Sequence, residues 1–137
     1  MVLVHAAGAG ALSYRPLARC MPRGWHICCV NDLALADESV WVHDSIAAVA
    51  REYTRVIRMH LVARGRGESA VVLAGWSYGG VVAIEIARQL HKGAHGSRVA
   101  NLVLFDAPVT LSRPVLSEEE RRRAVDSDVA LVRASAR

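Results

Sequence analysis

The chain has 137 residues, of which 53% are hydrophobic and 22% are charged, and its formal net charge is +4. This length is sufficient for one small domain with a hydrophobic core, and the composition excludes a disordered chain. The arginines are scattered over predicted helices and the run 121–123, without the interleaved aromatic residues of a nucleic-acid-binding stripe, so no nucleic acid is expected as a partner. The sequence also lacks the run of about 18 apolar residues that a membrane span requires, so no membrane association is expected.

The three cysteines, Cys20, Cys28 and Cys29, do not indicate a disulfide framework or a zinc site, because their number is odd and no CxxC spacing occurs. They are interpreted as reduced core thiols of a cytosolic protein, and no metal is expected. The apolar start of the chain, residues 1–12, has no positively charged segment before it and is interrupted by two glycines. A signal peptide is therefore not predicted there.

The predicted secondary structure alternates between strands and helices. In chain order the apolar runs and amphipathic stretches predict a strand at residues 1–5, a helix at 13–21, a strand at 25–30, a helix from Asp44 or Ser45 to Val62, a strand at 70–74, a helix from Tyr78 to a stop at Gly93, a strand at 99–105 and a charged helix from about Ser117. Elements that alternate in this way imply right-handed crossovers and a parallel sheet. The sequence therefore predicts an α/β fold with one sheet of about four parallel strands flanked by helices.

Two of the predicted helices have a clear apolar face. In the helix that ends at Val62, apolar residues recur at spacings of three and four, and either Val56 or Ile57 completes the row. In the helix that begins at Tyr78, the apolar row consists of Val82, Ile86 and Leu90. The polar residues assigned to the opposite face are Glu85, Arg88, Gln89 and Lys92.

The strongest chemical signal is the segment Gly75-Trp76-Ser77-Tyr78-Gly79-Gly80, which matches the G-x-S-x-G pattern of a nucleophile elbow. A strand is predicted before it and a helix after it, as the pattern requires. Glycines allow the sharp reversal between strand and helix, and the serine hydroxyl then lies near a helix N-terminus that favours developing negative charge. Ser77 is the predicted nucleophile; the alternative is an ordinary glycine- and serine-containing loop.

An acidic residue follows the next predicted strand. Asp106 lies 29 residues after Ser77, which leaves room for one helix and one strand, so it should stand at the carboxyl edge of the neighbouring strand. Catalytic groups in open parallel sheets gather at that edge, and an acid there can orient a histidine. Asp106 is interpreted as the catalytic acid; the alternative is a turn residue before Pro108.

The loop after the first strand, residues 6–11, consists of alanine and glycine. An oxyanion hole in this type of site uses two backbone N–H groups, one from the residue after the nucleophile and one from this loop. Tyr78 and Ala7 are the predicted donors. The alternative for the loop is an ordinary glycine-rich turn.

These segments resemble the thioesterase domains of polyketide and nonribosomal peptide synthases, which are α/β-hydrolases. The resemblance lies in the loop at 4–10, in Tyr14 and Leu17, in the elbow and helix at 75–90 and in the strand at 102–106, and it spans roughly residues 2–110. It implies that Ser77 attacks an acyl thioester held on the phosphopantetheine arm of an acyl or peptidyl carrier protein. No cofactor of the chain's own is implied.

The sequence departs from this family in its histidines, because the six of them all precede Asp106. Family members carry the catalytic histidine downstream of a lid. The chain is therefore expected to be a single partial domain over 1–137, with the core and elbow in 1–110 and the start of a lid in 111–137, and to be inactive in isolation. His5 lies near the oxyanion loop, but a loop histidine without a catalytic role is the favoured interpretation.

Two other functions remain open at this point. The chain could belong to a general carboxylester hydrolase with the same elbow, or it could be a non-catalytic remnant that binds a partner. The charged segment 118–123 places acids three and four residues before arginines, which is typical of an exposed helix. Docking of an acidic carrier protein on those arginines is a weaker alternative.

Overall fold

The computed structural model describes residues 1–32, 45–92 and 98–108. Within them the chain forms, in order, β1 (Val2–Val4), a 3₁₀ turn (Ala11–Tyr14), α1 (Arg15–Cys20), β2 (Cys28–Val30), α2 (Ile46–Ala63), β3 (Val71–Trp76), α3 (Tyr78–Lys92) and β4 (Val99–Phe105). The predicted helix stop at Gly93, the charged helix from about Ser117 and the lid region lie outside the described residues. Within the described ranges, no helix is both long and apolar enough to cross a membrane.

The strands form one parallel sheet in the order β2-β1-β3-β4, which confirms the predicted fold class. The chain first runs from β1 to β2 and then crosses back over β1 to β3 and β4. The direction of winding therefore reverses between β1 and β3. In open α/β sheets the carboxyl ends of the strands separate at such a point and leave a crevice for ligands.

Strands β1 and β3 differ from their predicted bounds by one or two residues at each end. Two other elements differ for local reasons. The predicted helix at 13–21 divides into a 3₁₀ turn and α1, because Pro16 lies in the first turn of α1 and a proline ring is not tolerated in a helix interior. The second strand begins at Cys28 and not at Trp25. Before it, Gly24 has a φ of 94° and the Trp25 N–H donates to the Pro22 carbonyl, so a turn occupies the start of the predicted strand.

Helix α2 covers one face of the sheet with the row of apolar residues that its sequence predicted. Ser45 caps the helix, since its side chain accepts a hydrogen bond from the Ala48 N–H at 3.2 Å. The alternative between Val56 and Ile57 is resolved, because Ile57 is 4% exposed and Val56 is 39% exposed. Ile57 therefore belongs to the main core, together with the fully buried Tyr53.

Helix α3 packs beside α2 on the same face, with Val82, Ile86 and Leu90 buried as predicted. Gln89 differs from its predicted place on the polar face. Its side-chain amide donates to the Ala47 carbonyl of α2 at 3.0 Å and thereby joins the two helices. A second, smaller core on the other face of the sheet contains the buried residues Leu3, Tyr14 and Ala74.

The neighbours Ile57 and Val56 test the packing of α2 directly. Replacing Ile57 with alanine should lower the free energy of unfolding by about 2–5 kcal/mol, because a buried side chain leaves a cavity. Val56→Ala should cost less than about 1 kcal/mol, since much of that side chain already contacts water. Urea unfolding followed by circular dichroism measures both. Equal losses for the two variants would contradict the packing described.

Candidate active site

Ser77 occupies the single residue between β3 and α3 and has a φ of 53°. A left-handed backbone costs an ordinary residue roughly 1–2 kcal/mol, so the surrounding structure must hold it. The Ser77 N–H donates to the Phe105 carbonyl at 2.9 Å, and the Ser77 carbonyl accepts from the Gly80 N–H at 2.9 Å. The backbone of the predicted nucleophile is thus fixed on both sides, in the strained strand–turn–helix form of an elbow.

Two of the elbow glycines are required by close backbone approaches. A Cβ atom added at Gly79 would overlap the carbonyl oxygens of both Val4 and His5, at the carboxyl end of β1. A Cβ atom added at Gly75 would overlap the Gly79 carbonyl. The absence of these side chains lets the first turn of α3 lie directly against the ends of β1 and β3.

Asp106 stands beside Ser77 at the carboxyl edge of the sheet. Trp76 and Phe105 are paired across β3 and β4, and Ser77 and Asp106 are the next residue on each strand. Asp106 is exposed and has a φ of 46°, the second left-handed residue at this edge. The two predicted site residues are therefore brought together, although the role of Asp106 as the catalytic acid stays a prediction.

Gly80, the third glycine of the elbow, lets the residue after Asp106 lie directly against the start of α3. A Cβ atom added at Gly80 would overlap the Cβ atom of Ala107, so the start of α3 and the residue after Asp106 are in close contact. This contact fixes the backbone on the far side of Asp106. The spacing of the acid from the elbow thus depends on packing between α3 and the end of β4.

The loop after β1 forms a turn next to the elbow. The Ala9 N–H donates to the Ala6 carbonyl at 3.0 Å, and Gly8 has a φ of 66°. Ala7 lies within this turn and is exposed. It stands on the β1 side of the crevice, whereas Tyr78 stands on the β3 side. The assignment of their two N–H groups to an oxyanion hole stays a prediction.

Tyr14 connects the two sides of the crevice. Its buried hydroxyl donates to the Val4 carbonyl at 2.7 Å and accepts from the Trp76 N–H at 2.8 Å. Burial is the main factor that raises the pKa of Tyr14, so the phenol keeps the proton that it donates. The resemblance to known thioesterases drew attention to Tyr14, but its two hydrogen bonds depend on tertiary structure.

His5 is buried beneath the elbow and is not an exposed loop residue. Its Nδ1 lies 2.8 Å from the Ala6 carbonyl and its Nε2 lies 2.6 Å from the Tyr53 hydroxyl. Because a carbonyl can only accept, Nδ1 carries the proton and Nε2 accepts from the phenol. Burial raises the pKa of Tyr53 and keeps that phenol protonated. Both ring nitrogens are thus engaged, which supports the interpretation that His5 has no catalytic role.

The other described histidines are also not placed to serve Ser77. Among the residues that the structure describes, no histidine forms a hydrogen bond with the Ser77 hydroxyl: His26 is exposed, His60 contacts Cys28, and His91 is exposed at the end of α3. Within this described part of the chain, the position of a general base is therefore not found. His43 and His95 lie outside the described residues.

The structure places a further acidic residue near the candidate site, one that was not predicted from the sequence. Asp32 follows the end of β2 by two residues and so lies at the same edge of the sheet as Asp106. Burial and then the negative charge of Asp32 raise the pKa of Tyr78. Its position two residues beyond a predicted strand was the available sequence signal, and it is weaker than that of Asp106, which directly follows its strand.

Gly79→Ala tests the close approach between α3 and β1. We expect a loss of at least about 3 kcal/mol in the free energy of unfolding, because the new methyl group overlaps two backbone carbonyls that cannot move independently. Gly8→Ala is the matched control, since Gly8 has a positive φ but open space around it. That variant should lose about 1–2 kcal/mol. Chemical denaturation measures the free energy of unfolding of both variants. A Gly79→Ala protein as stable as Gly8→Ala would contradict the close packing of α3 against β1.

Comparison with known proteins places this geometry in a family. A family model described as "Thioesterase domain" matches residues 1–134. The orsellinic acid synthase of Beauveria bassiana (strain ARSEF 2860) is 33% identical over 122 residues, which cover 86% of this chain and 5% of that protein. A crystal structure of the NocB thioesterase domain, in covalent complex with a fluorophosphonate nocardicin G analogue, is 32% identical with a TM-score of 0.68.

The match to the NocB thioesterase domain covers 93% of this chain and 54% of that one. The chain thus spans about half the length of the solved relative and a small part of the curated one. The resemblance to synthase thioesterase domains is confirmed by sequence and by fold. The chain belongs to the thioesterase domain family.

Proposed function

We propose that this chain carries the nucleophile, the oxyanion hole and the catalytic acid of a thioesterase that releases acyl groups from a carrier protein. The observation that carries the proposal is the left-handed Ser77 between β3 and α3, at the point where the sheet reverses its winding. The family match supports an acyl thioester as the substrate. The carrier protein and its phosphopantetheine arm are the further part of the proposal, supported by the similarity to synthases.

In the proposed reaction the Ser77 oxygen attacks the thioester carbonyl, and the serine proton passes to a base. The carbonyl oxygen gains negative charge and accepts hydrogen bonds from the backbone N–H groups of Ala7 and Tyr78. When the carbonyl reforms, the carbon–sulfur bond breaks and the pantetheine thiol leaves with a proton. Water or a nucleophile within the acyl chain then attacks the Ser77 ester and releases the product.

The base is the part of the site for which the described residues provide no candidate. In the family's mechanism it is a histidine, which Asp106 would orient and whose positive charge Asp106 would stabilise. We therefore propose that the chain alone is a poor thioesterase. Loss of one triad member typically leaves only about 10³–10⁴-fold catalysis over water, from the oxyanion hole and binding.

The proposal is tested by supplying the base from solution. The chain is incubated with an acyl-pantetheine thioester, with and without imidazole, and the Ser77 acyl-enzyme is measured by intact mass and peptide mapping. Imidazole should accelerate acylation by about tenfold, less than the roughly 10²–10⁴-fold contribution of a positioned base. Ser77→Ala should abolish the adduct, and Ser69→Ala, two residues before β3, should leave it unchanged.

Three results would contradict the proposal. An adduct that persists in Ser77→Ala would remove Ser77 as the nucleophile. Equal acylation of Ser77 by the matched oxoester would favour a general carboxylester hydrolase over a thioesterase acting on carrier-bound chains. Fast turnover without imidazole, lost in Ser77→Ala, would show that the chain contains a base of its own.

A further inference from the structure

A cavity lies beside β2, at the edge of the described sheet. It has a volume of about 620 Å³ and lies between β2 and the carboxyl-terminal half of α2, with Trp25, Ile27 and Ile57 among its apolar walls. Val71, the first residue of β3, also lines it. Ser77 follows six residues later along the extended strand, roughly 20 Å from Val71. The other end of the cavity reaches Asn31 and Tyr53, closer to the carboxyl edge of the sheet.

A thiol and an imidazole meet in this cavity. The Cys28 Sγ atom of β2 lies 3.1 Å from the Nε2 atom of His60 in α2. Both side chains are half-buried and both line the cavity. At this distance the imidazole can accept the thiol proton and leave a thiolate, the form of cysteine that reacts with electrophiles and disulfides.

The charge of the cavity wall selects the kind of reagent that would approach this thiol. Two exposed arginines, Arg64 and Arg66, line the cavity. Two histidines, His26 and His60, line it as well. None of the described lining residues is acidic. A wall with one sign of charge raises the local concentration of ligands of the opposite sign, so an anionic molecule is favoured.

The other two cysteines have different surroundings. Cys29 is the next residue of β2 and is half-buried, and it also lines the cavity. It packs against the second core, whereas Cys28 packs against the main core on the opposite face of the sheet. Burial raises the pKa of Cys29, which makes its thiol less reactive. Cys20 is exposed at the end of α1, so the prediction that it is a core thiol was wrong. The chain thus contains, as internal controls for Cys28, a neighbouring thiol with a raised pKa and an exposed thiol.

A metal ion is a poorer occupant of this cavity than a reagent that modifies the thiol. Structural zinc sites use four protein ligands and catalytic sites use three. Cys28 and His60 provide two, and the described residues contain no group of three or more histidine, cysteine or acidic side chains that could hold a metal. The Cys28–His60 pair therefore fits covalent modification better than metal binding.

We propose that Cys28 is a modification site that undergoes thiol–disulfide exchange with anionic low-molecular-mass disulfides. His60 accepts the Cys28 proton, and the thiolate attacks one sulfur of the disulfide. A new sulfur–sulfur bond to Cys28 forms as the original bond breaks, and the other half leaves as a thiolate that takes up a proton. One disulfide is consumed and one is formed, so no external oxidant or reductant is required. This site is independent of the function proposed for Ser77.

The test uses the whole chain with its three cysteines intact. The reduced protein is mixed with glutathione disulfide, which is anionic, and samples are quenched with acid. Fragment-ion mass spectra then locate the first mixed disulfide. We expect Cys28 to react about tenfold faster than either the exposed Cys20 or Cys29, because among the described residues a histidine contacts the Cys28 thiol and neither of the other two.

His60→Gln separates proton transfer from packing, because glutamine is polar and of similar size but does not accept the proton. We expect this variant to lower the Cys28 rate about tenfold while the Cys20 rate stays the same. In the wild-type chain, added salt should slow the reaction of Cys28 with glutathione disulfide more than with uncharged bis(hydroxyethyl) disulfide. Because the two disulfides are compared on the wild-type chain, this measurement shows whether the site prefers an anionic reagent even if His60→Gln alters the fold.

Three results would overturn the proposal. The first is a mixed disulfide that forms on Cys20 or Cys29 as fast as on Cys28. The second is an unchanged Cys28 rate in a His60→Gln protein whose circular dichroism matches that of the wild type. The third is equal salt dependence for the anionic and uncharged disulfides.

Discussion

The close packing of the first turn of α3 against the strand ends is the constraint on which the candidate site depends. Gly75 and Gly79 lack the side chains that would overlap neighbouring backbone, so the helix starts directly at the carboxyl edge of the sheet. Ser77 takes up the reversal in a left-handed conformation, and the Tyr14 hydroxyl joins the end of β1 to the backbone beside the elbow. The helix N-terminus, the loop after β1 and Asp106 thereby converge on one crevice.

Much of this arrangement could be predicted from local sequence patterns. The elbow could be recognised because a left-handed turn and close backbone approach demand glycines at fixed positions around Ser77. Helix α2 was predicted within two residues of its bounds because its apolar row repeats at helical spacing and Ser45 provides a cap. Strand β4 was predicted at its observed bounds, and the place of Asp106 beside Ser77 followed from strand adjacency.

Contacts between distant residues could not be predicted in this way. The hydrogen bond between Tyr14 and the Trp76 backbone joins residues 62 positions apart, and the Cys28–His60 contact joins residues 32 apart. Neither pair carries a local pattern, because each depends on how a helix or turn packs across the sheet. Gln89 was assigned to the solvent face for the same reason: helical spacing alone does not show that a second helix lies beside it.

The central claim is that Ser77 and the N–H groups of Ala7 and Tyr78 form one reaction site at the crevice. A crystal structure of the chain after reaction, in the presence of imidazole as a base, with a fluorophosphonate tests it most directly. This class of reagent is bound covalently in the structure of the NocB thioesterase domain. The account predicts phosphorus bonded to the Ser77 oxygen and a phosphonyl oxygen about 2.7–3.1 Å from both backbone nitrogens. A phosphonyl oxygen that points away from both nitrogens, or an adduct on another residue, would contradict it.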